Sequence, residues 1–214
     1  MKALSMSFSA TFLLIVANIN LSAQTETRAL LYASNLKCEN LVNPLGIDLS
    51  SPLLSWELNA SSRNQKQSAY QIIVSDQETE LAKDLGTYWD SGITTSNQTA
   101  NIPYQGKSLP SRLKLYWKVR VWDASDKPSA WSPVSSWEMG FLNSSDWQAK
   151  WIGMGEDQFP DSTGTSPAPY FRKAFKIDAK IVSARIRVCG LGFYELMLNG
   201  EKVGDQVLAP AQTN

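Results

Sequence analysis

From Leu113 to Asp123 the chain alternates between two sets of side chains. Leu115, Trp117, Val119 and Val121 interleave with Tyr116, Lys118, Arg120 and Trp122. Successive side chains of a strand point to opposite faces, so this run is a strand with one face in a core. Shorter runs of the same kind recur around it. Leu30 to Glu39 reads as a first strand, and Leu53 to Leu58 as a second with Leu54, Trp56 and Leu58 on one face. Gln67 to Asp76 is a third, with Tyr70, Ile72 and Val74 sharing a face. Thr87 to Gly92 and Gln98 to Tyr104 are short strands, and Val134 to Phe141 closes the set. Asn43 to Asp48, with Pro44 and Gly46, reads as a turn or loop. No stretch sustains a helical period. About seven strands, with turn signals roughly every 8–12 residues, are the pattern of a β-sandwich, and the chain is expected to be all-β.

Composition removes several classes of chemistry. The 214 residues contain no histidine, which excludes histidine-based triads and most zinc sites. Lys plus Arg balances Asp plus Glu at 20 each, so no net charge draws the chain to nucleic acid or to an anionic membrane. All eight tryptophans lie between Trp56 and Trp151. Most fall in alternating runs, which favours a core role over a sugar-stacking one.

Residues 1–23 read as a secretory signal. Lys2 supplies the positive start, Phe12 to Ala17 the apolar centre, and Leu21-Ser22-Ala23 the small-residue cleavage site. The apolar run is too short to span a bilayer, so no membrane association is expected after cleavage. The expected location is periplasmic or extracellular. The two cysteines, Cys38 and Cys189, fall in different expected domains, and nothing local brings them together. Asn59, Asn97 and Asn143 open N-glycosylation patterns, which have meaning only in a source with that machinery.

Residues 30–141 form the expected first domain and residues 142–169 a joint. Trp147 and Trp151 are expected to pack at the joint, with a sugar platform as the alternative; Phe159 to Pro169 reads as an exposed excursion. Residues 170–214 open a second domain. Tyr170 to Ile177 is an expected strand with Phe171, Phe175 and Ile177 on one face. Ile181 to Gly190 is another, with Ala184, Ile186 and Val188 inward and Arg185 and Arg187 outward. Gly190-Leu191-Gly192 permits a bend, Phe193 to Leu198 continues the sheet, and Asn199-Gly200 marks a two-residue hairpin. No closing strand follows before Asn214, so the second sandwich is expected to be incomplete.

Leu54-Ser55-Trp56, Tyr70 to Val74, Tyr116 to Asp123 and Ser129-Ala130-Trp131-Ser132-Pro133 together resemble a fibronectin type III domain over residues 30–141. Leu109-Pro110 stands at an unusual spacing from Tyr116-Trp117, which leaves open which aromatic fills that family's tyrosine corner. The run from Ser183 through Gly190-Leu191-Gly192-Phe193-Tyr194, Leu198-Asn199-Gly200 and Val203-Gly204 to Leu208-Ala209-Pro210 resembles the N-terminal β-sandwich of bacterial α-L-rhamnosidases of glycoside hydrolase family 78. Asn43 to Ile47, Ser91-Gly92 and Trp147 to Ile152 agree with the same order.

That resemblance implies a secreted enzyme that hydrolyses terminal α-L-rhamnose from glycans. Its two carboxylates would sit in a helical barrel further along the polypeptide, spaced for an inverting reaction. The partners implied are a rhamnose-containing glycan and the missing C-terminal catalytic domain. No catalytic residue is assigned here, and Glu138, Glu195 and Glu201 read as solvated strand charges. The candidate carbohydrate-binding residues are Tyr194 and Asn199, with a core tyrosine and a plain hairpin asparagine as the competing readings. Some proteins with this second domain bind rhamnose with calcium, so Asn199, Glu201 and Asp205 are considered as oxygen donors, though no metal ligand is assigned. The competing functions are a non-catalytic carbohydrate-binding module and a fibronectin-type spacer array.

Overall fold

The structure, a computed structural model, describes residues 31–154, 168–207 and 209. The expected leader at 1–23 lies outside the described residues, as does most of the expected excursion after Phe159. The chain divides into two compact units, Met1–Lys150 and Trp151–Asn214.

The first unit is a sandwich of two sheets. Strand β1 (Leu31–Cys38) pairs antiparallel with β3 (Leu53–Ala60), and β3 pairs with β7 (Ile102–Pro103). The second sheet runs β2 (Leu45–Ile47), β9 (Ser135–Met139), β8 (Lys114–Asp123), β4 (Gln67–Ser75) and β5 (Trp89–Asp90), with β6 (Thr94–Thr95) also on β4. The alternation read from the sequence sets the core. Leu54 and Trp56 from β3, Ile72 and Val74 from β4, and Leu115, Trp117, Val119 and Val121 from β8 are all buried between the sheets. Trp137 of β9 joins them and meets Trp117 and Tyr104 edge to face. The Trp56 indole donates to the buried Gln67 side chain at 3.1 Å. Gln67 in turn donates to the carbonyls of Ser96 and Gln98, so this polar group is satisfied inside the core.

The side chains of β4 and β8 that point away from the core are also covered. A single helical turn, α1 (Glu78–Leu81), lies against both strands and buries Leu81 beside Ile73. Trp131 lies over the cations of β8, 5.0 Å from Lys118 Nζ and 4.6 Å from the Arg120 guanidinium. Arg120 also faces Trp122 and donates twice to Gln71 Oε1. The segment carrying Trp131 is fixed by its two serines. The amides of Ser129 and Ser132 donate to the carbonyls of Val121 and Val119, and their hydroxyls accept the amides of the same two residues.

Several expectations need correction. The loop read at Asn43 to Asp48 contains β2, which pairs parallel with β9. Helix α1 and strand β6 lay outside the expected elements; both are too short to carry a period. Glu138 is buried at 7% exposure and is not a solvated charge, because β2 lies along its strand. Trp147 packs edge to face on Phe141 within the first unit, whereas Trp151 is 67% exposed. The aromatic that ties the connection into β8 is Tyr104, whose hydroxyl donates to Lys107 O at 2.9 Å.

In the second unit, β10 (Met197–Leu198) and β11 (Glu201–Lys202) form an antiparallel hairpin. The strands expected at Tyr170 to Ile177 and Ile181 to Gly190 are not formed. Their residues have no ladder partner among the described residues. Phe171, Phe175, Ile177, Ile186 and Val188 are exposed, not turned into a core. Alternation marks the face that needs a cover, but a strand also needs a neighbour to bond its amides and carbonyls.

Candidate functional site

The hairpin is a consequence of two residues. Asn199 has φ +51° and Gly200 φ +89°, the pair of left-handed conformations that a two-residue turn with the twist of its strands demands. Asparagine tolerates that region and glycine adopts it without steric cost. Leu198 then faces Glu201, Met197 faces Lys202, and Val203 N donates to Leu196 O at 2.8 Å. One step further out, Lys202 Nζ lies 3.0 Å from Glu195 Oε1. This cross-strand pair was not anticipated, because it is diagonal: counting outward from Asn199-Gly200 sets Lys202 opposite Met197, with Glu195 two positions further along.

Tyr194 is held from two sides. Its amide donates to Ala209 O at 2.9 Å in an antiparallel bridge. Its ring lies against Gly190: a Cβ at that glycine would stand 2.7 Å from Tyr194 Cδ1. Glycine at 190 is thus what lets the ring approach the backbone this closely, leaving the tyrosine half-buried. Tyr194 and Asn199 are separated by five residues of extended chain, roughly 16 Å. Asn199 sits at the exposed turn and Tyr194 near the base, so they do not meet around one small ligand.

Among the described residues no group of three or more His, Cys, Asp or Glu side chains could hold a metal ion. The expected strand charges divide: Glu195 is engaged by Lys202, Glu201 is exposed on β11, and Glu138 lies in the first unit, buried. Cys38 and Cys189 are both free thiols, the first buried and the second exposed.

Known proteins match both units. Residues 33–143 match the family model for the Rha78A-like, N-terminal immunoglobulin domain, and residues 179–214 match that for the alpha-L-rhamnosidase N-terminal domain. An alpha-L-rhamnosidase of Formosa agariphila is 36% identical over 189 residues, covering 80% of this chain and 20% of the relative. The solved alpha-L-rhamnosidase from Dictyoglumus thermophilum superposes with TM-score 0.73 at 38% identity, over 85% of this chain and 22% of that one. The Streptomyces avermitilis alpha-L-rhamnosidase, solved with L-rhamnose, gives TM-score 0.58 at 36% identity over 60% of this chain and 12% of that one. The chain therefore spans about a fifth of the length of the relatives it matches. The two matched models stand in the order that the two units have along this sequence, and the chain belongs to the family of the Rha78A-like N-terminal immunoglobulin domain, followed by the opening of an α-L-rhamnosidase N-terminal domain.

Proposed function

We propose that this chain is the accessory N-terminal region of a secreted α-L-rhamnosidase, an enzyme that removes terminal α-L-rhamnose from glycans. The observation that carries the reading is the ordered match of two N-terminal domain families within about a fifth of the length of its relatives. The catalytic carboxylates belong to polypeptide beyond residue 214, and the present residues position and shield that part. The signal-like start at residues 1–23 supports export to the periplasm or the exterior. Residues 142–169 serve as the joint between the two domains.

Within the second unit, the ring of Tyr194, backed by Gly190, offers a flat apolar face to a rhamnose ring. Asn199 carries a carboxamide at the hairpin tip, at the other end of the same hairpin, where a longer glycan would reach it. The test is to read the DNA downstream of codon 214, express the continuous frame, and assay it on a chromogenic α-L-rhamnoside. Release by the long form and none by residues 1–214 is expected. An in-frame stop, or a long form without activity, sinks the enzyme reading. Glycan binding by the short chain would then support a binding module.

A further inference from the structure

In the first unit, exposed large apolar side chains are concentrated at one place. Leu41, Val42, Leu45 and Leu49 lie within the connection from β1 to β3 that carries β2, a single loop around that short strand, and the first three are 57%, 60% and 64% exposed. Val134, also exposed, stands where β9 begins. The loop reaches that point because Asn43 Oδ1 accepts both the Ser135 hydroxyl and the Ser136 amide, each at 2.8 Å.

This loop is not slack. Glu39, Asn40 and Asn43 all have φ between +49° and +62°, a region that costs an L-residue about 1 kcal/mol or more outside a turn built for it. The conformation is pinned at each step. Cys38 and Leu41 exchange both backbone bonds at 3.0 Å, and Glu39 bonds Leu53 through its backbone and its carboxylate. Glu138 N donates to Pro44 O and Gly140 N to Ile47 O, which ties β2 to β9. A loop with this much internal bonding could have turned its leucines inward. It holds them toward solvent, in a shape that loses little entropy on association.

We propose that this loop, with Val134, is the docking face for an apolar surface on the polypeptide beyond residue 214. The proposal rests on the reading of the chain as the front of a longer enzyme. The occupant is argued from length: relatives are about five times longer than the matched segment, so most of such a protein is tethered to this unit at high effective concentration. The patch is on the order of a few hundred Å², suited to an interdomain contact within one chain. It is short of the roughly 800 Å² per partner that a free-standing dimer buries.

The test uses Val42→Cys in a Cys189→Ser background, in both the 214-residue chain and the long form. Cys38 stays silent, since it is buried and burial pushes its thiol up to about 12. Maleimide labelling at position 42 is expected to be at least about ten-fold slower in the long form than in the short chain, a protection reaching 90% or more. A Leu41→Ser, Leu45→Ser pair added to the long form should restore the fast rate. Equal rates in an active long form overturn the docking while leaving the enzyme reading intact. Protection already complete in the short chain overturns it too: if independent of concentration it assigns the face to residues 151–214, and if concentration-dependent to a second copy. A protected long form that releases no rhamnose keeps the docking and sinks the enzyme reading.

Discussion

At the scale of single residues, the outer side of the first unit depends on a charge that is almost enclosed. The Lys118 side chain is 8% exposed, with its ammonium under Trp131 and 2.5 Å from Asp84 Oδ1. The hydrogen bond from Lys118 holds the Asp84 carboxyl below its ordinary value of 3.8. Asp84 itself is 54% exposed, so water screens part of the interaction. Asp84→Asn should therefore cost about 1 kcal/mol at neutral pH, mainly by leaving the enclosed ammonium without its carboxylate. The pH dependence has a definite sign. A carboxyl whose folded pKa is lowered contributes fully above its unfolded value, and the contribution fades as pH falls through the folded one. Urea midpoints of the two proteins should differ at pH 7 and converge as the pH falls below the ordinary carboxylate range. A difference that persists unchanged to pH 2 would show that the carboxylate charge is not what matters.

At the scale of elements, the long strands were legible and the short ones were not. β4 and β8 announce themselves because over nine and ten residues an apolar side chain recurs at every second position, which leaves no competing period. β2 was hidden because Pro44 and Gly46 signal a turn, and its three residues are recruited by hydrogen bonds from Glu138 and Gly140 far along the chain. The hairpin was readable from Asn199-Gly200 alone, because its geometry is local. Tyr194 was not fully readable: its anchor at Ala209 and its close approach to Gly190 are tertiary facts. The Ser129 to Ser132 segment lies between these cases. Its serines were visible as part of a motif, but their work is to replace a strand along the upper half of β8. Both hydroxyls accept amides at 3.1 Å in a buried setting. Ser132→Ala and Ser129→Ala should each destabilise the first unit by about 1–3 kcal/mol, because each leaves a buried amide with no side-chain acceptor. Chemical unfolding measures this directly; a midpoint unmoved in both variants would mean that the backbone bonds alone hold the segment.

At the scale of the whole molecule, the two units differ in how far they satisfy their own sequence. In the first, every residue of the alternating face of β8 finds the opposite sheet, and the tryptophans of β8 and β9 meet edge to face. In the second, the same kind of alternation leaves Phe171, Phe175, Ile186 and Phe193 exposed, with strand pairing confined, among the described residues, to one hairpin and the Tyr194 bridge. Apolar burial and ladder bonds are what raise local opening free energies, so the units should differ in protection by orders of magnitude. Dilute protease acting on residues 1–214 is expected to remove the segment after Lys150 first and leave a resistant core ending near that position. A version ending at Lys150 should then unfold at the same temperature as the first transition of the longer chain, within about 2 °C, because the core loses none of its own contacts. If instead the shortened version melts several degrees lower, the second unit stabilises the first, and the two are not energetically separate. If residues 168–207 resist cleavage as well as the first unit does, the two units do not differ in local stability.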